Sequence, residues 1–163
     1  MGLKRGDIST KNVIEQGESR YVEFKSTLRY NLKANKNDPN IELASLKTVA
    51  AFLNTSGGTL LIGVTDDGNI EGLEKDNFVN DDKLLLHFNN LLRDKIGEQT
   101  LGLVHFEIVE IDSKKIFRVD VSKANSPVFV THQNSEYFFV RSGPSTLKLK
   151  LSEFYNYNQK HFS

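Results

Sequence analysis

The chain has 163 residues, no cysteine, and 21 basic against 21 acidic side chains, so its formal net charge is zero. This length suits one domain with one core. The missing cysteine excludes disulfides and thiolate metal sites. The balanced charge excludes a uniformly basic nucleic-acid binder, so any such role must come from a local patch. No apolar run approaches the roughly 18 residues of a membrane-spanning helix, and the opening Met1-Gly2-Leu3-Lys4-Arg5-Gly6 lacks the apolar stretch of a signal peptide. A cytoplasmic setting without membrane contact is the expectation.

In chain order, residues 9–16 predict a short helix with Ser9 or Thr10 as cap, Val13 and Ile14 as its apolar side and Gly17 as its stop. Residues 21–25 alternate as a strand, with Val22 and Phe24 on one face and Tyr21, Glu23 and Lys25 on the other. Glu18 lies an odd number of residues from Glu23, so the two converge only if Glu18 sits in the turn after Gly17. Residues 29–40 are polar and turn-rich and predict a mobile loop carrying three cations. Asn40 is then the expected cap of a helix whose stripe is Leu43, Leu46, Ala50 and Leu53, widened by Val49.

The organising stretch is Leu53-Asn54-Thr55-Ser56-Gly57-Gly58, followed by the apolar run 60–64. It predicts a helix end, a tight glycine turn and a buried strand. Asp67-Gly68 signals a hairpin, with residues 70–73 as a short partner strand. Asn80 or Asp81 caps a third helix with Leu84, Leu85, Phe88, Leu91, Leu92 and Ile96 inward, ending at Gly97. Strands over 103–111 and 115–121 flank a turn at 112–114, and strands over 128–131 and 136–141 flank a turn at 132–135. A helix from Ser152 to about Lys160 closes the reading. The fold class expected is α+β, a mixed, mostly antiparallel sheet with helices packed against it. The chain reads as a single domain over residues 1–163, with a lead-in over 1–17, a core over 18–151 and a C-terminal helix over 152–163.

Three acids stand out. If the strand of Glu23 neighbours the buried strand that ends near Asp66, those two approach each other, and Glu18 reaches in from its turn. Clustered carboxylates repel and raise one another's pKa unless a hard cation such as Mg²⁺ or Mn²⁺ relieves them. Such an ion can activate water and stabilise charge on a phosphate, with Lys25 facing the same place. On pattern alone, Glu23 also reads as a solvent-facing strand residue, Asp66 as a turn former and Glu18 as a polar residue after a helix stop. The four histidines have no metal spacing, and Gly57-Gly58 lacks the Lys-Ser/Thr ending of a P-loop.

Three stretches together resemble the Schlafen-type Alba-like domain. They are Glu18-Ser19-Arg20-Tyr21-Val22-Glu23-Phe24-Lys25, the run from Ala51 through Gly57-Gly58 to Asp66-Asp67-Gly68, and Ile70-Glu71-Gly72-Leu73. Tyr137-Phe138-Phe139-Val140-Arg141-Ser142-Gly143 is similar to that family's strand ending in Arg-x-Gly. The resemblance runs from about Gln16 to about Leu151 and implies a nucleic-acid-binding lobe. From the Schlafen nucleases it implies a Mg²⁺- or Mn²⁺-dependent endoribonuclease acting on structured RNA such as tRNA. The metal-holding carboxylates then map to Glu18, Glu23 and Asp66, with Asp67 the competitor for the third place. Lys25 is expected at the scissile phosphate, and Lys33, Lys36, Lys47, Arg118 and Arg141 at the nucleic-acid backbone. The nuclease core of those relatives uses two lobes and this chain supplies one, so a homodimer is expected. The family's zinc site has no counterpart, and the 29–40 loop looks longer. The alternatives are a non-catalytic nucleic-acid-binding module, or a nucleotide-binding or protein-interaction domain.

Overall fold

The computed structural model describes residues 5–162, and the side chains of residues 5–8 are not described. Residues 1–4 of the expected lead-in, and Ser163, lie outside the described residues. The centre is a four-stranded mixed sheet of β1 (Val22–Lys25), β4 (Gly58–Ile62), β6 (Lys114–Val121) and β5 (Val104–Ile111), in the order β1-β4-β6-β5. β1 runs parallel to β4 and the other pairs are antiparallel. The α+β expectation of a mixed, mostly antiparallel sheet packed against helices therefore holds.

Each sheet face has its own apolar layer, because side chains alternate along every strand. On one face Leu60, Ile62, Phe117 and Val119 meet α2 (Pro39–Leu53) and α3 (Asp81–Lys95) in the larger core. The rings of Phe88, Phe106 and Phe117 meet edge-on within it. On the other face Val22, Phe24, Leu61 and Ile116 meet Val13 and Ile14 of α1 (Arg5–Gln16). Two small ribbons attach to the α2 side: β7 (Val130–His132) with β8 (Ser135–Tyr137), and β9 (Phe139–Ser142) with β10 (Ser145–Lys148). A third ribbon, β2 (Tyr30–Asn31) with β3 (Lys36–Asn37), folds the cationic loop, and α4 (Leu151–His161) comes last. Among the described residues no helix is long and apolar enough to cross a membrane.

The Asn54 turn ties these layers together. Buried Asn54 donates Nδ2 to the carbonyls of Val128 and Phe139, accepts from Val128 N at 2.8 Å, and its own carbonyl accepts from Tyr157. A Cβ at Gly57 would lie 2.6 Å from the Val121 carbonyl, and one at Gly58 2.8 Å from the Tyr21 carbonyl, so the close approach of β4 to its neighbours requires both glycines.

Several boundaries differ from the sequence expectation. α1 begins at Arg5, so Ser9 and Thr10 lie inside it rather than at its cap. Asp38, not Asn40, caps α2: its carboxylate accepts from Asn40 N and Pro39 occupies the first turn. Residues 70–73 form no strand; a lone bridge joins Val64 to Ile70, and the Gly63 carbonyl takes the N–H groups of Glu71 and Gly72. The single strand expected over 136–141 is two strands split at Phe138, whose buried ring leaves the ribbon to meet Phe154 of α4.

Candidate functional site

β1 is an edge strand, so the outward N–H and C=O groups of residues 22 and 24 need partners other than a neighbouring strand. The turn over 18–21 supplies some. Ser19 and Val22 exchange backbone hydrogen bonds, and the Glu18 carboxylate accepts from Phe24 N at 3.0 Å. Placed in this turn, Glu18 meets Glu23 despite the odd spacing.

Arg141 of β9 closes the corner. Its guanidinium donates to the carbonyls of Ser19 at 2.8 Å and Val22 at 3.0 Å, and to Glu23 Oε1 at 3.1 Å. Its plane lies over the Phe52 ring and its backbone N–H is taken by Thr55 Oγ1. The Arg141 side chain is 0% exposed and that of Glu23 14%. Arg141 therefore does not offer its charge to a phosphate in solution; it joins β9 to the open edge of β1.

The two glutamates share a hydrogen bond, which requires a proton between them. Burial, then that bond, push Glu18 up to about 7 against the pull of the Phe24 N–H, and the negative charges of Glu23 and Asp66 add to the rise. Burial pushes Glu23 the same way, but the bond from Glu18 and the charges of Lys25 and Arg141 outweigh it and hold Glu23 below its ordinary value. The pair therefore keeps its proton on Glu18 rather than on Glu23.

Asp66 follows β4 in an exposed turn, with Asp67 exposed beside it. Its charge reaches Glu18, but among the described residues no group of three His, Asp or Glu side chains is placed to hold a metal ion. Two of the three expected ligands meet and the third stands off. The donor set is hard oxygen, as Mg²⁺ or Mn²⁺ would need, yet Glu23 already has the Arg141 cation, so the fit is partial.

The other cations expected at a nucleic acid are scattered. Lys25 flanks Glu23 on the same strand face. Lys33 and Lys36 are exposed on the β2–β3 ribbon. Lys47 lies on α2 with its ammonium 5.6 Å from the Phe139 ring centre. Arg118 is on the opposite sheet face, bonded to Asp120 at 2.9 Å and to Thr10 Oγ1 at 2.8 Å, so it fastens α1 to the sheet rather than facing the same groove as Lys47.

Sequence reasoning missed Asp76. It is 1% exposed and accepts three backbone N–H groups, from Leu28 at 2.8 Å, Arg29 at 2.8 Å and Tyr30 at 3.0 Å. Arg29 in turn bonds the Asp76 and Asn77 carbonyls and stacks on Phe78 at 3.7 Å. This nest fixes the root of the lysine-bearing ribbon. Nothing in Glu74-Lys75-Asp76-Asn77 marks one acid as buried, because the donors it serves lie 46 to 48 residues away.

The family described as Schlafen, AlbA_2 matches residues 18–150. Among solved structures, the chain is similar to the DIP2311 protein of Corynebacterium diphtheriae, with a TM-score of 0.63 and 19% identity over 97% of this chain and 29% of that one. It is also similar to the N-terminal domain of a RecG-related protein of Nitrosomonas europaea, with a TM-score of 0.53 and 17% identity over 80% of this chain and 85% of that domain. At such identities the likeness speaks for the fold, and this chain spans less than a third of the DIP2311 protein. No curated protein matches it.

Proposed function

The chain belongs to the Schlafen AlbA_2 family, and from that premise we propose that it is a nucleic-acid-binding module that does not cleave its ligand. The observation that carries this reading over a catalytic one is the Glu23–Arg141 pair. A carboxylate neutralised by a fully buried guanidinium of its own chain is a poor ligand for a cation, since breaking the pair leaves a buried charge uncompensated. Of the cations expected at a nucleic acid, those that remain available are lysines, chiefly Lys33, Lys36 and Lys25, with Lys47 beside α2. Lysines of this kind hold a phosphate backbone through sequence-independent, salt-sensitive contacts. A net charge of zero limits the affinity to what these few lysines supply.

A second reading is favoured by the Glu18–Glu23 contact. It is a Mg²⁺- or Mn²⁺-dependent endoribonuclease in which Glu18, Glu23 and Asp66 hold the ion and Lys25 meets the phosphate. The ion would activate water and offset charge on the phosphate. For the ion to bind, the proton on Glu18 must leave and the exposed Asp66 turn must move inward. In this reading a second copy of the chain completes the groove.

One experiment separates the two. A 5′-labelled tRNA is titrated with the protein in EDTA at several salt concentrations, then incubated with Mn²⁺. The binding module gives a linear loss of log affinity with log salt, unaffected by EDTA, and intact RNA. Cleavage by the parent that disappears in Glu23→Gln establishes the nuclease instead. No binding at low salt removes both readings.

A further inference from the structure

A cavity of about 300 Å³ opens between α2 and the two ribbons β7–β8 and β9–β10, away from the carboxylate corner. Its construction follows from three periodicities. On α2, Asn40, Leu43 and Lys47 lie at helical spacing on one face. In β7–β8, Val130 pairs directly with Tyr137, and His132 lies two residues along the same face. In β9–β10, Phe139 pairs with Lys148. The floor is apolar and buried, being Leu43, Val130 and Phe139, whereas the rim is polar.

Two features of its lining bear on what it could hold. None of its lining residues is acidic, in a chain where acids equal bases. Both of its cations stand over aromatic rings: Lys148 Nζ is 5.4 Å from the centre of Tyr137, and Lys47 Nζ is 5.6 Å from that of Phe139. The two rings are 6.5 Å apart at 34°. In addition, the buried Nδ1 of His132 has no hydrogen-bond partner among the described residues, an unmet polar group in the cavity wall.

We propose that this cavity takes one unstacked nucleotide of a single strand, its base against Tyr137 and Phe139 and its phosphate between Lys47 and Lys148. The inference rests on the nucleic-acid-binding reading above and adds what that reading lacks, a preference for unpaired over paired strands. Aromatic faces accept any base by stacking, and a duplex cannot present one without unpairing it. The volume lies at the small end of ligand cavities, roughly right for a single nucleotide unit and too small for a base pair. The same face of β9 carries Phe139 and, two residues on, Arg141. The two residues are about 7 Å apart along the strand, so the cavity lies on the ribbon that Arg141 joins to β1.

The test uses the whole chain and two fluorescein-labelled RNAs, an unstructured 15-mer and a blunt 15-base-pair duplex. Tyr137→Leu keeps the apolar bulk and Lys148→Gln removes an exposed charge, so neither change threatens folding. The double variant is expected to bind the 15-mer roughly ten-fold more weakly than the parent while its duplex affinity changes less than two-fold. Equal loss on both RNAs, or none on either, overturns the cavity and leaves the nucleic-acid-binding reading standing. A parent that binds neither RNA at low salt overturns that reading and the cavity with it. A 15-mer of DNA in place of RNA tells whether the sugar matters and is expected to behave alike, since neither the stacking nor the phosphate pairing involves the 2′-hydroxyl.

Discussion

Two carboxyl sites in this molecule, one buried and one half-buried, solve the same problem in opposite ways. Asp76 meets three backbone N–H groups and no other acid, so its charge is wholly satisfied by donors that cannot leave. Glu18 and Glu23 meet each other, with one backbone N–H and one guanidinium between them, so a proton must make up the deficit. The first arrangement is a fixed joint. The second changes its charge near neutrality, because Glu18 is raised to about 7. Burial alone therefore does not mark a functional acid; what matters is whether the donors around it are sufficient.

The widest separation between the two sites should appear on removing the acceptor. Asp76→Ala leaves three N–H groups of residues 28–30 without a partner, and a loss of about 4 kcal/mol in urea unfolding is expected. Asp76→Asn retains one acceptor oxygen and should lose about half as much. An Asp76→Ala chain with an unchanged midpoint would show that the nest is not a joint at all. At the other site Arg141→Met keeps the length of the side chain but takes one donor from each of the Ser19 and Val22 carbonyls and the guanidinium from Glu23. The expected cost is about 3 kcal/mol, and amide exchange should quicken along β1 while β5 and β6 stay protected. Uniform exchange across the sheet would contradict the assignment of Arg141 to the β1 edge.

How far each site could be read from sequence follows the same division. The helix–glycine–strand unit around Asn54 was legible, because it rests on local periodicity and turn chemistry. The stripe of α2 and the inward residues of α3 were legible for the same reason. The turn placement of Glu18 and the neighbouring of β1 and β4 were conditions the sequence allowed but did not decide, because strand pairing is a tertiary choice. Asp76 was not legible, since its partners are set by the tertiary path of residues 28–30. Arg141 was legible as part of a motif and misread as a surface cation, because strand alternation does not say which face a distant strand will cover. Arg118, likewise expected at a nucleic-acid backbone, lies under α1 and bonds Thr10 there, which the strand pattern of 115–121 does not reveal. Asp66 shows the limit from the other side. Its place at the end of a buried strand was correctly read, yet one turn of backbone keeps it exposed.

A smaller effect, and the sharper test of the paired site, is its pH dependence. An acid whose folded pKa lies above its unfolded value holds its proton longer in the native state. Between the ordinary value of 4.5 and about 7 the native state therefore binds more protons, and stability falls as pH rises. Glu23, held below its ordinary value, has the opposite sign, and its contribution is lost only as the medium becomes acidic. Glu18→Gln keeps an acceptor for Phe24 N and removes the titration. The variant should equal the parent near pH 4.5, exceed it at pH 8 by about 1 kcal/mol once the rise is discounted for the solvent that screens this partly exposed carboxyl, and show a flatter profile between. A parent profile that rises across this window would mean the proton is not shared as described.

The smallest effect on stability belongs to the ribbon that the Asp76 nest carries, and there the two sites part company in function. Lys33 and Lys36 are exposed and close no ion pair among the described residues, so Lys33→Gln with Lys36→Gln should shift the unfolding midpoint by less than about 0.5 kcal/mol. Their weight falls on binding instead. Removing one lysine from a phosphate lowers the slope of log affinity against log salt by about 0.7 for a single strand, so the double variant should lose about 1.4 from that slope. Asp76→Asn, which leaves both lysines in place but loosens the root of their ribbon, should weaken binding with the slope nearly intact. If Asp76→Asn lowers the slope as much as removing the lysines does, the ribbon has come away from the surface altogether. The nest would then position the cations, and not merely hold a fold that happens to bear them.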